Sequence, residues 1–248
     1  MSLWIAINRA SLPPFDKIIC YPTGHGADAR VKEFMQIGVT DLGLVGRAKV
    51  NGIRVLGKGT TSIVILCRWH GKKKALKVRR VDAGGSGANH EAIFLKRAND
   101  CMVGPKLCTW SENSIVMEYL QGITLGEWLM RLQSYTDAEV KSIISNLLIQ
   151  ARKLDVCGII HRELGNASRH AIISKERATF VDFGTAGLSM KASNVTSLAN
   201  YLFLQKTHAT QIEKHIHFCR DELLGMLKEY KISRADKIFG KLLQLIET

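Results

Sequence analysis

Between residues 53 and 78 apolar and polar positions alternate in three short β-rich runs: Ile53-Arg54-Val55-Leu56, Ile63-Val64-Ile65-Leu66-Cys67 and Lys74-Ala75-Leu76-Lys77-Val78. Gly57-Lys58-Gly59 and His70-Gly71 separate them, so the pattern predicts an antiparallel meander. Ala83-Gly84-Gly85-Ser86-Gly87 then reads as a connection. A helix is predicted from Asn89 to Ala98, with Ala92 and Leu95 on the face of Glu91, followed by strands near Lys106 to Trp110 and Ser114 to Glu118. Five strands and one helix make a first lobe over 46–120. After Gly122 the period becomes helical. Thr124-Leu125-Gly126-Glu127 and Thr136-Asp137-Ala138-Glu139 are capping-box patterns. The second opens a long helix whose stripe is Val140, Ile143, Ile144, Leu147, Leu148, Ala151 and Leu154, a core stripe only. Further helices are predicted over Ser197 to Leu204, over Thr210 to Tyr230 with Ile212, Ile216, Cys219, Leu223 and Met226 inward, and from Ser233 onward.

Residues 1–45 lack this clarity. They carry Pro13, Pro14, Pro22 and Gly24-His25-Gly26 and read as an extension with one helix near Ala27 to Met35. The Gly-His-Gly reads as a turn, because no strand signal and helix bracket it as a phosphate loop requires.

Composition narrows the class. An apolar content of 46% with mean hydropathy of +0.01 describes a soluble globular chain. No run of about 18 apolar residues offers a membrane span. Nothing after Met1 to Ala10 has the organisation of a cleavable signal, so a cytoplasmic location is expected. The six cysteines form no C-x-x-C pair and have no zinc spacing, and read as reduced, mostly buried thiols. His208, His215 and His217 read as satisfied or exposed side chains rather than metal ligands. The net charge of +13 calls for an acidic partner, whether nucleotide, nucleic acid or protein. Residues 1–120 hold 18 basic against 9 acidic residues, and the remainder 17 against 13. Lys72-Lys73-Lys74 and Arg79-Arg80 belong to the richer half. They fit a solvated hairpin edge that resists edge pairing, or a surface that touches RNA or a ribonucleoprotein.

Four segments carry the chemistry, in order: Gly57-Lys58-Gly59-Thr60-Thr61-Ser62-Ile63-Val64, Ala75-Leu76-Lys77, Val116-Met117-Glu118-Tyr119-Leu120 and Val181-Asp182-Phe183-Gly184. Together they read as a nucleoside triphosphate site, with backbone to cover phosphates, a cation to hold them, a hinge for the purine and a carboxylate for a metal. Gly57 and Gly59 let backbone approach phosphate oxygens. Lys77 lies on a predicted strand 18 residues after Gly59, and Glu91 follows it by 14 on the lobe's predicted helix. A carboxylate there can neutralise the lysine, which Asn89 and His90 cannot. Asp182 follows a strand signal, and a hard cation bridging phosphates needs such an oxygen.

These segments, with His161-Arg162-Glu163-Leu164-Gly165-Asn166-Ala167-Ser168 where kinases carry H-R-D-L-x-x-x-N, resemble the protein kinase superfamily. The shortened second lobe, with 64 residues after Gly184 and no Ala-Pro-Glu, is similar to the atypical RIO family and related archaeal-type serine/threonine kinases. The resemblance covers about residues 51 to 206. It implies an α+β, two-lobed fold with an antiparallel first lobe and a helical second lobe over 121–248, and it implies ATP and Mg2+ as ligands. It puts Ser62 in the place of a third glycine and Val64 over the adenine. It makes Met117 the gatekeeper and gives the purine edge to the Glu118 carbonyl and the Leu120 amide. It also implies that Asp182 holds the metal, that Glu163 stands where an aspartate accepts the hydroxyl proton, and that Ser168 stands where an asparagine binds metal.

Glu163 departs from the pattern. Its extra methylene moves the carboxylate by on the order of 1 Å, a displacement that can cost on the order of 100-fold when uncompensated. Ser168 is a weaker magnesium ligand than asparagine, and Asn166 stands two positions early. The expected activity is phosphoryl transfer to a protein serine or threonine. The alternatives are a pseudokinase, a RIO-like ATPase acting in ribonucleoprotein assembly, and a small-molecule kinase, which usually needs a larger second lobe.

Overall fold

The computed structural model describes residues 4–84, 87–175 and 177–247. Two compact units divide the chain: Met1–Lys96 with Pro105–Leu120, and Arg97–Gly104 with Gln121–Thr248.

The first unit opens with β1 (Trp4–Ala6), α1 (Asp16–Ile19), α2 (Ala27–Gln36) and β2 (Val39–Gly43). A separate hairpin, β3 (Ala48–Val50) and β4 (Ile53–Val55), follows. Next come β5 (Gly57–Lys58), β6 (Ser62–Trp69), β7 (Lys72–Arg79), α3 (Gly87–Asp100), β8 (Leu107–Trp110) and β9 (Ser114–Glu118). The main sheet has seven antiparallel strands in the order β1-β2-β6-β7-β9-β8, with β5 pairing to β6 outside that path. The sequence pattern gives five strands, and the difference has three sources. Ile53–Val55 leaves the sheet to pair with Ala48–Val50, because Asn51 (φ 49°) and Gly52 (φ 81°) form the two-residue left-handed turn that twists with a hairpin. The residues before 46 supply β1 and β2, and Gly57–Lys58, read as part of a connection, adds β5.

Register decides what each face of this sheet carries. Ile65 pairs with Leu76 and Leu76 with Val116, and with Ile63, Cys67 and Val78 they point to one face. There they are buried with Ile18 and Ile19 of α1 and Val31 and Phe34 of α2. Glu33 of α2 accepts from the Asn113 amide (3.1 Å), the Ser114 hydroxyl (3.3 Å) and the Ser111 hydroxyl. Arg30 donates to the carbonyls of Arg79 (3.4 Å) and Asn113 (3.3 Å). The predicted helix near Ala27 to Met35 is therefore fixed across the sheet by charge-assisted bonds. Gly26, at φ 81°, is its N-cap and ends the Gly-His-Gly turn.

The second unit begins with β10 (Ile123–Thr124), α4 (Leu125–Leu129) and α5 (Asp137–Val156). Both capping boxes are formed: Glu127 N–H donates to Thr124 Oγ1 (3.2 Å) and Thr124 N–H to Glu127 Oε2 (3.0 Å), with Thr136 and Glu139 repeating the exchange. All seven residues of the α5 stripe are buried. Then follow β11 (Ile159–Ile160), a 3-10 segment over Leu164–Arg169, β12 (Ala171–Ser174), β13 (Arg177–Phe180) and β14 (Gly187–Leu188). Strand β12 lies between β10 and β13, and β11 pairs with β14. Helices α6 (Asn194–Ala199), α7 (Lys206–Ile212), α8 (Arg220–Ser233) and α9 (Asp236–Glu247) close the chain, with a π-helical turn at Asn200–Leu204 after α6.

Two expectations are corrected. The helix read over Thr210 to Tyr230 is broken between Ile212 and Arg220. Ile216 is fully buried at the break and Phe218 packs edge-on against Phe203 at 5.1 Å, so tertiary burial wins over a spacing that merely happened to stay in helical phase. Cys219 is exposed, and Asp221 and Glu222 mark the new N-terminus. The second correction concerns the thiols: Cys101 and Cys157 form a disulfide, their Cα atoms 6.7 Å apart. The fold brings together residues 56 apart in sequence, a proximity that spacing cannot reveal. Of the remaining four, Cys20 and Cys67 are buried, and burial pushes the Cys67 thiol up to about 12.

Candidate active site

In the first unit the candidate residues lie on the sheet face turned away from α1 and α2. Val64 pairs with Lys77, and Lys77 in turn with Ile115, so all three project opposite to Ile65, Leu76 and Val116. Ala75 pairs with Met117, placing Met117 on the same face. Gly57 pairs with Val64, and the Gly59 amide donates to the Ser62 carbonyl at 2.8 Å, which closes the turn between β5 and β6. Ser62 is buried at its base. Lys77 Nζ lies 2.7 Å from both carboxylate oxygens of Glu91 on α3, each residue over nine-tenths buried. The ammonium is thus aimed by a bidentate acceptor on a helix whose Ala92 and Leu95 are buried beside it. Glu118 ends β9, where its amide donates to the Lys106 carbonyl (2.9 Å) and its side chain accepts from the Lys106 amide (3.1 Å). Glu118 is exposed and Leu120 half-buried.

The second unit holds the other set. Glu163 is half-buried immediately before the 3-10 segment, and Asn166 breaks that segment's helical geometry at φ −139°, ψ 62°. Ser168 Oγ reaches Asn166 Oδ1 at 3.5 Å, the outer limit of a hydrogen bond. Asp182 is exposed just past β13 with φ +67°, a left-handed conformation rare outside glycine and concentrated at functional sites. Phe183 beside it is buried.

His161 joins these two segments. Its ring Nε2 donates to the Val181 carbonyl at 3.0 Å and its face meets Phe183 edge-on at 4.8 Å. Burial holds this histidine below its ordinary pKa, so it is the neutral tautomer that makes the bond. Its amide donates to Asn194 Oδ1 (2.9 Å), while Asn194 donates through its amide and side chain to Asp155 (2.6 and 2.7 Å) and to the Ile159 carbonyl (2.7 Å). Asp155 also accepts from the Val195 amide (3.2 Å) and the Tyr230 hydroxyl (2.9 Å). Loop, α5, α6 and α8 are thereby tied to one buried carboxylate. Asn194, Asp155 and Tyr230 carry no motif, and sequence reasoning missed them. The distance of 33 residues between His161 and Asn194 leaves no local signal to read.

Among the described residues no group of three or more His, Cys, Asp or Glu could hold a metal by itself. Asp182, Ser168 and Asn166 each carry an oxygen donor of the kind Mg2+ takes, an ion that keeps water and phosphate oxygens in its shell and needs only one or two protein ligands.

A RIO domain matches residues 69–196, just over half of the chain. The chain belongs to the RIO family. This family is kinase-like, uses ATP and generally binds it with Mg2+. The matched RIO region encloses Lys77, Glu91, Met117, Glu163, Ser168, Asp182 and Asn194, and it starts after the glycine segment. No curated protein sequence matches the chain. Among the described residues no helix is long and apolar enough to cross a membrane.

Proposed function

We propose that this RIO chain binds ATP and transfers its γ-phosphoryl group to serine or threonine hydroxyls of a protein. The observation that carries the reading is the buried Lys77–Glu91 ion pair on the sheet face shared with Val64 and Met117. A lysine kept over nine-tenths buried and charged against a carboxylate needs a task there, and holding α- and β-phosphates is the one its family performs. Gly57, Gly59 and Ser62 would cover the phosphates, Val64 the adenine, and Met117, Glu118 and Leu120 the purine edge. Asp182, with Ser168, would hold Mg2+, which supplies charge neutralisation on the phosphate oxygens. Glu163 would orient the acceptor hydroxyl and take its proton as the new O–P bond forms and ADP leaves.

Glu163 and Ser168 also support a second reading, an ATPase or nucleotide-gated assembly factor in which water is the acceptor or no transfer occurs. The exposed Lys72 and Lys73 on the β6–β7 hairpin favour a polyanionic partner, RNA or a ribonucleoprotein, for that reading. Single-turnover reactions with γ-labelled ATP and a serine/threonine-rich protein acceptor separate the two. Label on the acceptor is expected, with Glu163→Gln lowering its rate by about 100-fold. Label released only as inorganic phosphate would favour the ATPase, and equal transfer by wild type and Glu163→Gln would remove Glu163 from the chemistry.

A further inference from the structure

One side chain of the segment before residue 46 lies against the glycine turn. Tyr21, two residues past α1, lies against two cations. Lys58 Nζ donates to its hydroxyl at 2.9 Å and stands 4.5 Å from its ring centroid, and the Arg80 guanidinium carbon stands 4.8 Å from the same centroid. Both cations belong to the glycine turn or grip it. Lys58 sits between Gly57 and Gly59. Arg80 donates from its guanidinium to the Gly59 carbonyl (3.2 Å) and from its amide to the Thr61 carbonyl (2.9 Å), while Asp82 fixes the other edge of the guanidinium at 2.6 and 2.8 Å. The backbone closes the circuit, since the Val81 amide donates to the Tyr21 carbonyl at 3.0 Å. The two carbonyls held by Arg80 flank the tip of the turn, where a glycine-rich loop is otherwise free to open.

We infer that Tyr21 is a positioning residue of the phosphate-covering turn, and that residues 1–45 serve nucleotide binding through it. The inference rests on the reading of Gly57 to Ser62 as the ATP loop. The role assigned to Tyr21 is indirect. Its ring supports Arg80, and its hydroxyl holds the Lys58 ammonium toward the N-terminal segment. Together they fix Gly59 and Thr61 before ligand arrives, so ordering the loop costs less on binding. Such coupling is reciprocal: ATP must in turn tighten the contacts of Tyr21, including the Val81 amide.

The test measures ATP affinity with Mg2+ by calorimetry, and the melting temperature without nucleotide, for wild type, Tyr21→Phe, Tyr21→Leu, Lys58→Met and the Tyr21→Phe/Lys58→Met pair. Tyr21→Phe keeps the ring and loses the hydroxyl, so Kd for ATP is expected to rise about threefold. Tyr21→Leu loses both and is expected to raise it about tenfold. Lys58→Met loses the ring contact as well as the hydroxyl contact, so it should raise Kd at least as far as Tyr21→Phe, and the double change should add nothing beyond Lys58→Met. In wild type ATP should slow hydrogen exchange at the Arg80 and Val81 amides, and in Tyr21→Leu it should not. A purely structural Tyr21 would lower the melting temperature and leave Kd and the ATP-induced protection unchanged, which overturns the inference. Should Tyr21→Leu not fold, Tyr21→Phe and the cycle with Lys58→Met decide. Wild type that binds no ATP removes the nucleotide reading and this inference with it. Wild type that binds ATP with unaltered Kd in every variant removes this inference alone.

Discussion

The residues proposed to hold phosphate in the first unit and those proposed for transfer in the second are built on opposite plans. Lys77 is locked before any ligand arrives, its ammonium 2.7 Å from each oxygen of a buried glutamate and its strand paired on both sides. Asp182 is exposed on left-handed backbone, Glu163 is half-buried, and Ser168 holds Asn166 only at the limit of a hydrogen bond. Rigidity in the second unit lies one layer back, in His161, Asn194 and Asp155. A cation that must greet a polyanion can be paired in advance with a carboxylate. Groups proposed to take a metal and a proton must stay within reach of them, and here the backbone is ordered while Asp182 is exposed and Glu163 and Ser168 are half-buried. Substitutions in the first set should therefore disturb folding and binding together, and those in the second only chemistry.

The largest expected effect tests the second half of that contrast. Asp182→Asn should lower phosphoryl transfer by about 1000-fold, within the range for removing one transition-state electrostatic contact. The urea midpoint should stay at the wild-type value, because the side chain is exposed and asparagine tolerates a φ of +67°. A large fall in the midpoint would show that the aspartate is structural and that the two plans are not distinct.

The converse holds at Lys77. Lys77→Ala strands the Glu91 carboxylate in a site over nine-tenths buried and should cost about 3 kcal/mol of stability, besides removing most of the ATP-induced rise in melting temperature. Lys77→Ala with Glu91→Ala should regain much of that stability while leaving the ATP shift lost. If the single and double variants are equally stable, the pair is not the preformed element described above. An ATP shift that survives in both variants would remove Lys77 from the phosphates.

Much of the fold was legible for local reasons. Both capping boxes, the α5 stripe, the two-residue turn at His70-Gly71 and the strand pair Lys72–Arg79 and Ser114–Glu118 are each specified by residues a few positions apart. The Asn51-Gly52 turn was equally local and went unread, and with it the departure of Ile53–Val55 from the sheet. What stayed invisible was long-range. The pairing of β1 with β2 and of β2 with β6, the Cys101–Cys157 bond and the anchoring of His161 by Asn194 all join segments that sequence distance does not relate. The Lys77–Glu91 pair was legible through the resemblance to kinases, in which a helix glutamate holds the strand lysine.

The smallest effect concerns the layer behind the exposed residues, and its sign follows from burial. His161 has a folded pKa below 6.5 because desolvation disfavours its charged form, outweighing the help of the Val181 carbonyl. Above about pH 6.5 the ring is neutral in both folded and unfolded chains and contributes no pH dependence. As pH falls below 6.5 the unfolded chain takes up a proton that the folded ring refuses, so stability declines by at most about 1.4 kcal/mol per pH unit until the folded pKa is reached. His161→Gln retains an N–H donor for Val181 and cannot titrate. Urea unfolding of both proteins from pH 7.5 down to pH 5 should show the wild type losing more stability than the variant, by about 1 kcal/mol at pH 5.5. Asp155 is raised by burial and works in the opposite direction, but it is present in both proteins, so the difference between their curves isolates His161. Parallel curves would mean that His161 accepts its proton in place. Its ring could then no longer be the neutral pin between the Glu163 loop and Asp182-Phe183, and the second unit would lose the rigid layer that sets it apart from its exposed chemistry.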